Sequence, residues 1–299
     1  MEIKFPVVTT GTFDGVHIGH KSIIDRVNEI AGKSGGESVL MTYHPHPRSV
    51  LFPDEEIKII TTIDEKIELL EKAGLQNLIV FPFTKEFSKT SSLDYIKKIL
   101  VDKIGTKKLV IGYNHMFGRN REGSFEHLLK YGPKYGFDVE EIPAQTVDQA
   151  NVSSTKIRRA ILEGNISLAN EFLGHNFTFL GKVVHGNKLG RTIGYPTANL
   201  RVEDNVKIIP GFGVYAVKVH FNQNVYFGMM NIGMRPVLPE LSFAIEVNIF
   251  DFDANIYDEH VKIEVCKKLR DEENFENLEL LKVKLQQDKI NTVNYFQSF

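Results

Sequence analysis

GTFDGVHIGHKSIIDRVNEIAG, Gly11–Gly32, decides how the rest of the chain is read. A short β-rich run, Phe5–Thr10, precedes it, and Ile23, Ile24, Val27, Ile30 and Ala31 follow at helical spacing, with Gly32 as the expected stop. Strand, glycine turn and helix together aim backbone N–H groups and the positive end of a helix dipole at a phosphate. Gly11 and Gly15 permit the tight turn, and Asp14 is placed to accept from N–H groups at the helix start. His17 and His20 are three apart, so both imidazoles can face one bound group. With Asp14 they could instead hold a metal, although no further His or Cys follows at ligand spacing. A plain polar helix start is the third reading, and it leaves the glycines unexplained.

The composition narrows the class. A chain of 299 residues is long enough for two domains with separate cores. A 42% hydrophobic and 25% charged make-up describes a globular protein, and a net charge of −2 offers no footprint for nucleic acid or an anionic membrane. One cysteine, Cys266, excludes an internal disulfide framework and fits a reducing compartment, with strand packing as its expected role. No apolar run reaches membrane-spanning length and MEIKFPVV lacks a secretory layout, so the expectation is a cytoplasmic protein. The sequence leaves the oligomeric state open.

Up to Gly174 strand-like runs alternate with helical patterns. The runs are Phe5–Thr10, Ser38–Tyr43, Leu78–Phe83, Lys108–Gly112 and Asp138–Pro143. Between them lie Ile63, Ile67 and Leu70, then Leu93, Ile96, Leu100 and Ile104, then Phe125, Leu128 and Leu129. This alternation predicts an α/β, Rossmann-like parallel sheet whose ligands gather at the carboxyl ends of the strands. Three later segments point to the same crevice. YHPHPRSVLF, with His44 and His46, is expected to be a rigid loop because its prolines oppose helix. In GYNHMFGRNREG, Asn114 offers a donor and an acceptor to a base or flavin edge, while Phe117, Arg119 and Arg121 read either as ring and phosphate contacts or as a solvated loop. In VSSTKIRRAILEGN, Ser153, Ser154 and Thr155 can cap a helix whose apolar face is Ile157, Ile161 and Leu162. Lys156, Arg158 and Arg159 place cations in its first turn, which the dipole disfavours unless an anion binds there.

Beyond Gly174 β-rich segments take over: Phe177–Val184, Gly213–Phe221, Val225–Ile232, Phe243–Phe250 and Val261–Val265, with Asn222-Gln223-Asn224 as a hairpin turn. They predict a small antiparallel barrel crossed by a terminal helix carrying Phe275, Leu278, Leu281 and Leu285. The expected domains are 1–174 and 175–299. GKVVHGNKLGRTIGYPTANL is a basic glycine loop, with Gly181, Lys182, Gly186, Lys188, Gly190 and Arg191, able to bring N–H groups against phosphate without the order of a P-loop. In AIEVNIFDFD, Glu246 lies between Ile245 and Val247 and faces opposite to both, either toward solvent or toward a site.

GTFDGVHIGH resembles the GxFDGxHxGH signature of the bacterial bifunctional riboflavin kinase/FMN adenylyltransferase (FAD synthetase) family, and the matching motifs run through nearly the whole chain in order. The PHP loop, the SSTxxR segment, PTAN at Pro196–Asn199, the LEVH-like strand of Glu246, GMMNIGMRPVL and KLRDEENF all have family counterparts. The resemblance implies an N-terminal nucleotidyltransferase half with ATP held by Gly11, Phe13, Asp14, Asn114, Ser154, Thr155 and Arg158, and with His17 and His20 acting on it. It implies a C-terminal kinase half with nucleotide at Gly181, Lys182, His185, Gly186, Lys188, Gly190, Arg191 and Pro196. There Thr197 and Asn199 bind Mg2+ with ATP, Glu246 is the base and Arg270 lies on the flavin side. The partners so implied are ATP, riboflavin and FMN, flavins being substrate and product. Two departures stand out: Asn114-His115 replaces Asp-Phe or Asn-Phe, and Val237 replaces Thr after Arg-Pro. They motivate one rival reading, a chain with a single working half; the other rival is a non-enzymatic flavin-binding or regulatory module.

Overall fold

The computed structural model describes residues 3–113, 115–143, 152–186, 189–237 and 240–298, with only the backbone at 189, 235–237 and 240–242. The chain divides into two compact units, Met1–Ser154 and Thr155–Phe299.

The first unit is built on five parallel strands: β1 (Pro6–Thr10), β2 (Glu37–His44), β3 (Asn77–Pro82), β4 (Lys108–Gly112) and β5 (Asp138–Ile142), in the order β3-β2-β1-β4-β5. Val8, Val39, Met41, Leu109 and Ile111 face one side, against Tyr95, Ile96, Leu100, Leu128 and Phe137. Val7, Leu40 and Val110 face the other, against Ile23, Ile24, Val27 and Leu70. Both faces are covered, as a parallel sheet requires. The strand order reverses between β2 and β4 on either side of β1, which places a crevice at the carboxyl end of β1, where the GTFDG turn begins.

Helix α1 (Ile18–Ser34) runs past Gly32 and ends at Gly35, whose left-handed φ of 62° closes it. The expected stop was thus three residues early. YHPHPRSVLF is not helix-free: α2 (Pro47–Leu51) starts there with Pro47 in its first turn, where a missing N–H costs nothing. Helix α3 (Ile63–Lys72) turns Leu70 inward but leaves Ile67 exposed; Glu65 and Lys66 are buried instead. Helix α4 (Ser92–Asp94) continues into a π-helical stretch, Tyr95–Val101, and α5 (Phe125–Tyr135) follows β4. Leu93 and Leu129, expected inside, are exposed.

The second unit opens with α6 (Ser154–Leu162) and α7 (Ile166–Leu173). Ile157, Ala160 and Ile161 form the buried face of α6; Leu162 points outward, correcting the expected stripe. Six strands then close a barrel in the order β10-β7-β6-β11-β8-β9: β6 (Phe177–Val184), β7 (Ala198–Arg201), β8 (Gly213–Phe221), β9 (Asn224–Val237), β10 (Glu240–Ile249) and β11 (His260–Arg270). Phe177, Phe179, Val217, Val219, Met230, Ile232, Ile245, Val247, Ile263 and Val265 are all buried. The hairpin between β8 and β9 turns on Asn222 and Gln223, both with positive φ, while Asn224 already pairs with Phe221. A short helix, α8 (Leu189–Thr192), precedes β7, the strand absent from the sequence reading.

The terminal helix α9 (Leu278–Gln297) was expected to dock through leucines. Its fully buried residues are polar, Asp288 at 1% exposure and Thr292 at 0%. The Arg270 guanidinium donates from Nε to both Asp288 oxygens, at 3.0 and 3.1 Å, and from Nη2 to Oδ2 at 2.8 Å. A buried carboxylate met by a planar fork in this way fixes helix position more sharply than an apolar stripe does.

Candidate functional sites

In the first unit the turn after β1 is tightly wound. Phe13 (φ 46°), Gly15 (φ 87°) and Val16 (φ 41°) all lie at positive φ, a conformation that costs a β-branched residue energy and persists only where its surroundings enforce it. Gly11 is needed for space, because a Cβ there would lie 3.1 Å from the Phe13 ring. The turn's N–H groups are largely used within the protein: Gly11 N donates to Met41 O at 3.0 Å, Gly15 N to Thr61 Oγ1 at 3.0 Å and Val16 N to Phe13 O at 3.2 Å. Asp14 does not cap α1. Its buried carboxylate accepts from Ile60 N (2.9 and 3.2 Å), Thr61 N (3.1 Å) and Thr61 Oγ1 (3.4 Å), tying the segment before α3 to the turn.

The cap of α1 is His17, whose Nδ1 accepts from His20 N at 3.3 Å. The two imidazoles stack with centroids 3.6 Å apart, and the Phe13 ring lies 4.7 Å from His20. Burial, then the neighbouring His17, then Lys66 hold His20 well below the ordinary histidine range. Its Nδ1 is enclosed and has no hydrogen-bond partner among the described residues. An enclosed ring nitrogen without a partner is uncommon in a native protein and marks His20 as a candidate functional residue. Ser154 reaches the same turn, its Oγ donating to Asp14 O at 3.0 Å. Thr155 is exposed and Arg158 half-buried on α6, within the second unit; Arg159 pairs with Glu163 at 2.8 Å. Asn114 lies outside the described residues.

Across the sheet from the histidines, Tyr43 and Tyr95 share a hydroxyl hydrogen bond at 3.0 Å, and Tyr95 also meets Thr10. Thr10 Oγ1 lies 3.3 Å from His115 Nε2, and the His115 ring stacks on Phe117 at 6.0 Å. Phe83 and Phe87 complete this aromatic group around Tyr43. Burial, then Arg121, pushes His115 down to about 4, so the imidazole in place of the family's Phe is uncharged near neutral pH. His46 caps α2, accepting from Arg48 N at 3.2 Å, and His44 ends β2. Arg119 pairs loosely with Glu122 at 3.9 Å on the surface.

In the barrel, register does the positioning. Asn199 of β7 pairs directly with Glu246 of β10, and Glu246 also pairs with Asn231 of β9. Directly opposed residues project to the same side with Cβ atoms about 5 Å apart. Ile245 and Val247, at 2% and 1% exposure, fill the interior, so Glu246 points away from it and stays half-buried. Thr197 stands two residues before Asn199, immediately ahead of β7.

The basic glycine loop presses onto this row. A Cβ at Gly186 would lie 2.1 Å from Asn199 Nδ2, and one at Gly190 would lie 2.2 Å from Tyr195 O and 3.4 Å from Thr197 Oγ1. A Cβ at Gly181 would approach Leu200 less severely, at 3.2 Å. Pro196 O accepts from Asn248 Nδ2 at 2.6 Å, which fixes the entry to β7. At the rim, His185 stacks on Tyr257 at 4.0 Å, Lys182 pairs with Asp258 at 3.5 Å and Arg191 is exposed. Arg270, expected on the flavin side, is bound to Asp288. Lys188 and the side chain of Val237 lie outside the described residues.

Sequence reasoning passed over Lys66, Thr10, Tyr43 and Tyr95. Lys66 carried a signal, since it stands three residues after Ile63 and four before Leu70, within the inward stripe of α3.

A family model described as FAD synthetase matches residues 2–156, and one described as riboflavin kinase matches 173–296. The bifunctional riboflavin kinase/FMN adenylyltransferase of Listeria monocytogenes is 37% identical over 292 residues, which span 97% of this chain and 92% of that protein. The enzyme of the same description from Escherichia coli K12 is 34% identical over 291 residues, spanning 97% and 92%. A solved structure described as a macrolide-efflux protein from Streptococcus pneumoniae is 32% identical, with a TM-score of 0.88 over 97% of this chain and 94% of that one. Among the described residues, no helix is long and apolar enough to cross a membrane.

Proposed function

The chain belongs to the bifunctional riboflavin kinase/FMN adenylyltransferase family, and from that premise we propose how its residues divide the work. It is an enzyme of flavin cofactor biosynthesis: its C-terminal half phosphorylates riboflavin with ATP to FMN, and its N-terminal half adenylylates FMN with ATP to FAD and pyrophosphate. The working halves are 1–174 and 175–299, and the substrates bound are ATP, riboflavin and FMN. The cytoplasm, where ATP is abundant and a buried lone thiol stays reduced, is its compartment.

The two reactions make different demands. A primary hydroxyl is a poor nucleophile until its proton is taken, and Glu246 takes it as the oxygen attacks the γ-phosphoryl group. Its register opposite Asn199 supports this reading more than any other observation does. Thr197 and Asn199 offer hard neutral oxygens, and Gly186 keeps open the space beside the Asn199 amide. Such a donor pair suits Mg2+, which leans on phosphates and water for its remaining ligands and neutralises charge on the transferring phosphoryl group. Gly181, Lys182, His185, Gly186, Lys188, Gly190, Arg191 and Pro196 line the nucleotide, and Arg270 holds α9 beside the flavin.

FAD formation needs no base, because the attacking FMN phosphate is already anionic. Positioning and charge stabilisation are the requirements. His17 and His20 act on the triphosphate from the start of α1, with Gly11, Phe13, Asp14 and Ser154 of the same unit; the family resemblance assigns Asn114, Thr155 and Arg158 to the same nucleotide. Asp14 acts indirectly, by holding the turn. The aromatic group of Tyr43, Phe83, Phe87, His115 and Phe117 takes the flavin ring. Incubation with riboflavin, ATP and Mg2+ followed by separation of the flavins tests the whole reading. FAD should appear; FMN accumulating alone would exclude a working N-terminal half.

A further inference from the structure

A lysine at 6% exposure is unusual, and Lys66 is buried in the first unit directly behind the GTFDG turn. Its Nζ donates to Thr12 O at 2.7 Å and to Thr42 Oγ1 at 3.3 Å. Thr42 Oγ1 donates in turn to Thr12 O at 3.1 Å, so one carbonyl at the middle of the turn is gripped from β2 and from α3. Both acceptors of the ammonium are neutral. Among the described residues its opposing charge is Asp14, and that carboxylate is already occupied by Ile60 and Thr61. A cation so placed carries a desolvation cost that neutral acceptors do not offset, and an apolar side chain of equal length would pack there at lower cost. The expense is offset when a polyanion sits on the other side of the turn.

We propose that Lys66 is a positioning residue for FAD formation, its buried ammonium fixing the Gly11–Gly15 turn through Thr12 and setting the field in which the His17–His20 pair meets the triphosphate. The claim rests on the adenylyl-transfer reading of this half. The groups facing His20 are His17 and Phe13 by ring contact and Lys66 by charge; Asp14 faces Lys66. The same positive charge helps hold His20 neutral.

The test uses the full-length protein and the variants Lys66→Met and Lys66→Arg. Lys66→Met should lower kcat for FMN to FAD by about tenfold or more, while riboflavin phosphorylation stays at the wild-type rate. Lys66→Arg, which keeps the charge, should retain a larger share of the rate. In the Lys66→Met protein the NMR titration of the His20 ring should move up toward the ordinary histidine range; a purely structural lysine would not move it. Should Lys66→Met fail to fold, Lys66→Arg carries the test through kcat: retention of most of the wild-type rate of FAD formation supports the claim, and a loss of tenfold or more overturns it. A folded Lys66→Met protein with unchanged FAD formation and unchanged His20 titration overturns it too. A wild-type chain that makes no FAD would instead remove the functional reading on which the claim rests.

Discussion

The two units handle the same nucleotide by different means. In the first, the groups proposed to serve the reaction hang on turns beyond strand ends: His17 and His20 at the entrance to α1, Asp14 in a strained turn, Lys66 reaching in from α3. In the barrel, Asn199 and Glu246 belong to the strands and are matched by hydrogen-bond register. The contrast follows the chemistry. Charge stabilisation around a triphosphate is served by cations and dipoles gathered from several elements at a sheet's switch point. Deprotonation of an alcohol needs one carboxylate at one distance, and a cross-strand pair is among the most rigid ways to set it.

The strongest way to break the comparison is to remove the proposed base. Glu246→Gln should cut riboflavin phosphorylation by about two to four powers of ten while FMN adenylylation persists. A variant that still phosphorylates riboflavin at the parental rate would show that register alone does not make a base. Next in size is the anchor of the terminal helix. Asp288→Ala leaves the Arg270 guanidinium buried without its carboxylate, and the barrel should lose about 3 to 5 kcal/mol in urea unfolding. A loss below about 1 kcal/mol would mean that α9 is held by something other than this pair.

The first unit's fold was legible because a parallel sheet buried on both faces leaves continuous apolar runs, and all five of its strands fall within one residue of expectation. β7 escaped because four residues beginning after Pro-Thr carry turn composition; only pairing with β6 and β10 makes them a strand. Asp14 misled for a related reason. Its side chain can cap a helix or bind a passing loop, and the closeness of Ile60 and Thr61 is a tertiary fact. α9 reads as a leucine-bearing helix, yet its buried contact is an ion pair with a residue 18 positions earlier in the chain. Glu246 shows the opposite case, since alternation alone pointed it away from Ile245 and Val247.

Two smaller effects sharpen the contrast. His20→Ala should lower FAD formation about a hundredfold, on the order of 3 kcal/mol, and leave FMN formation intact. Equal loss of both activities would deny that the sites are separate. Gly186→Ala puts a methyl group where the Asn199 amide stands, and should reduce riboflavin phosphorylation about tenfold through Asn199's displacement, without touching FAD formation from FMN. Unchanged kinetics would place Asn199 outside the reaction.

The most direct test of two independent sites is to mix purified His20→Ala and Glu246→Gln proteins with riboflavin, ATP and Mg2+ and follow the flavins by chromatography. Neither variant alone should convert riboflavin to FAD at more than a small fraction of the wild-type rate, and the mixture should do so by way of released FMN. A mixture as inactive as its components would contradict the account.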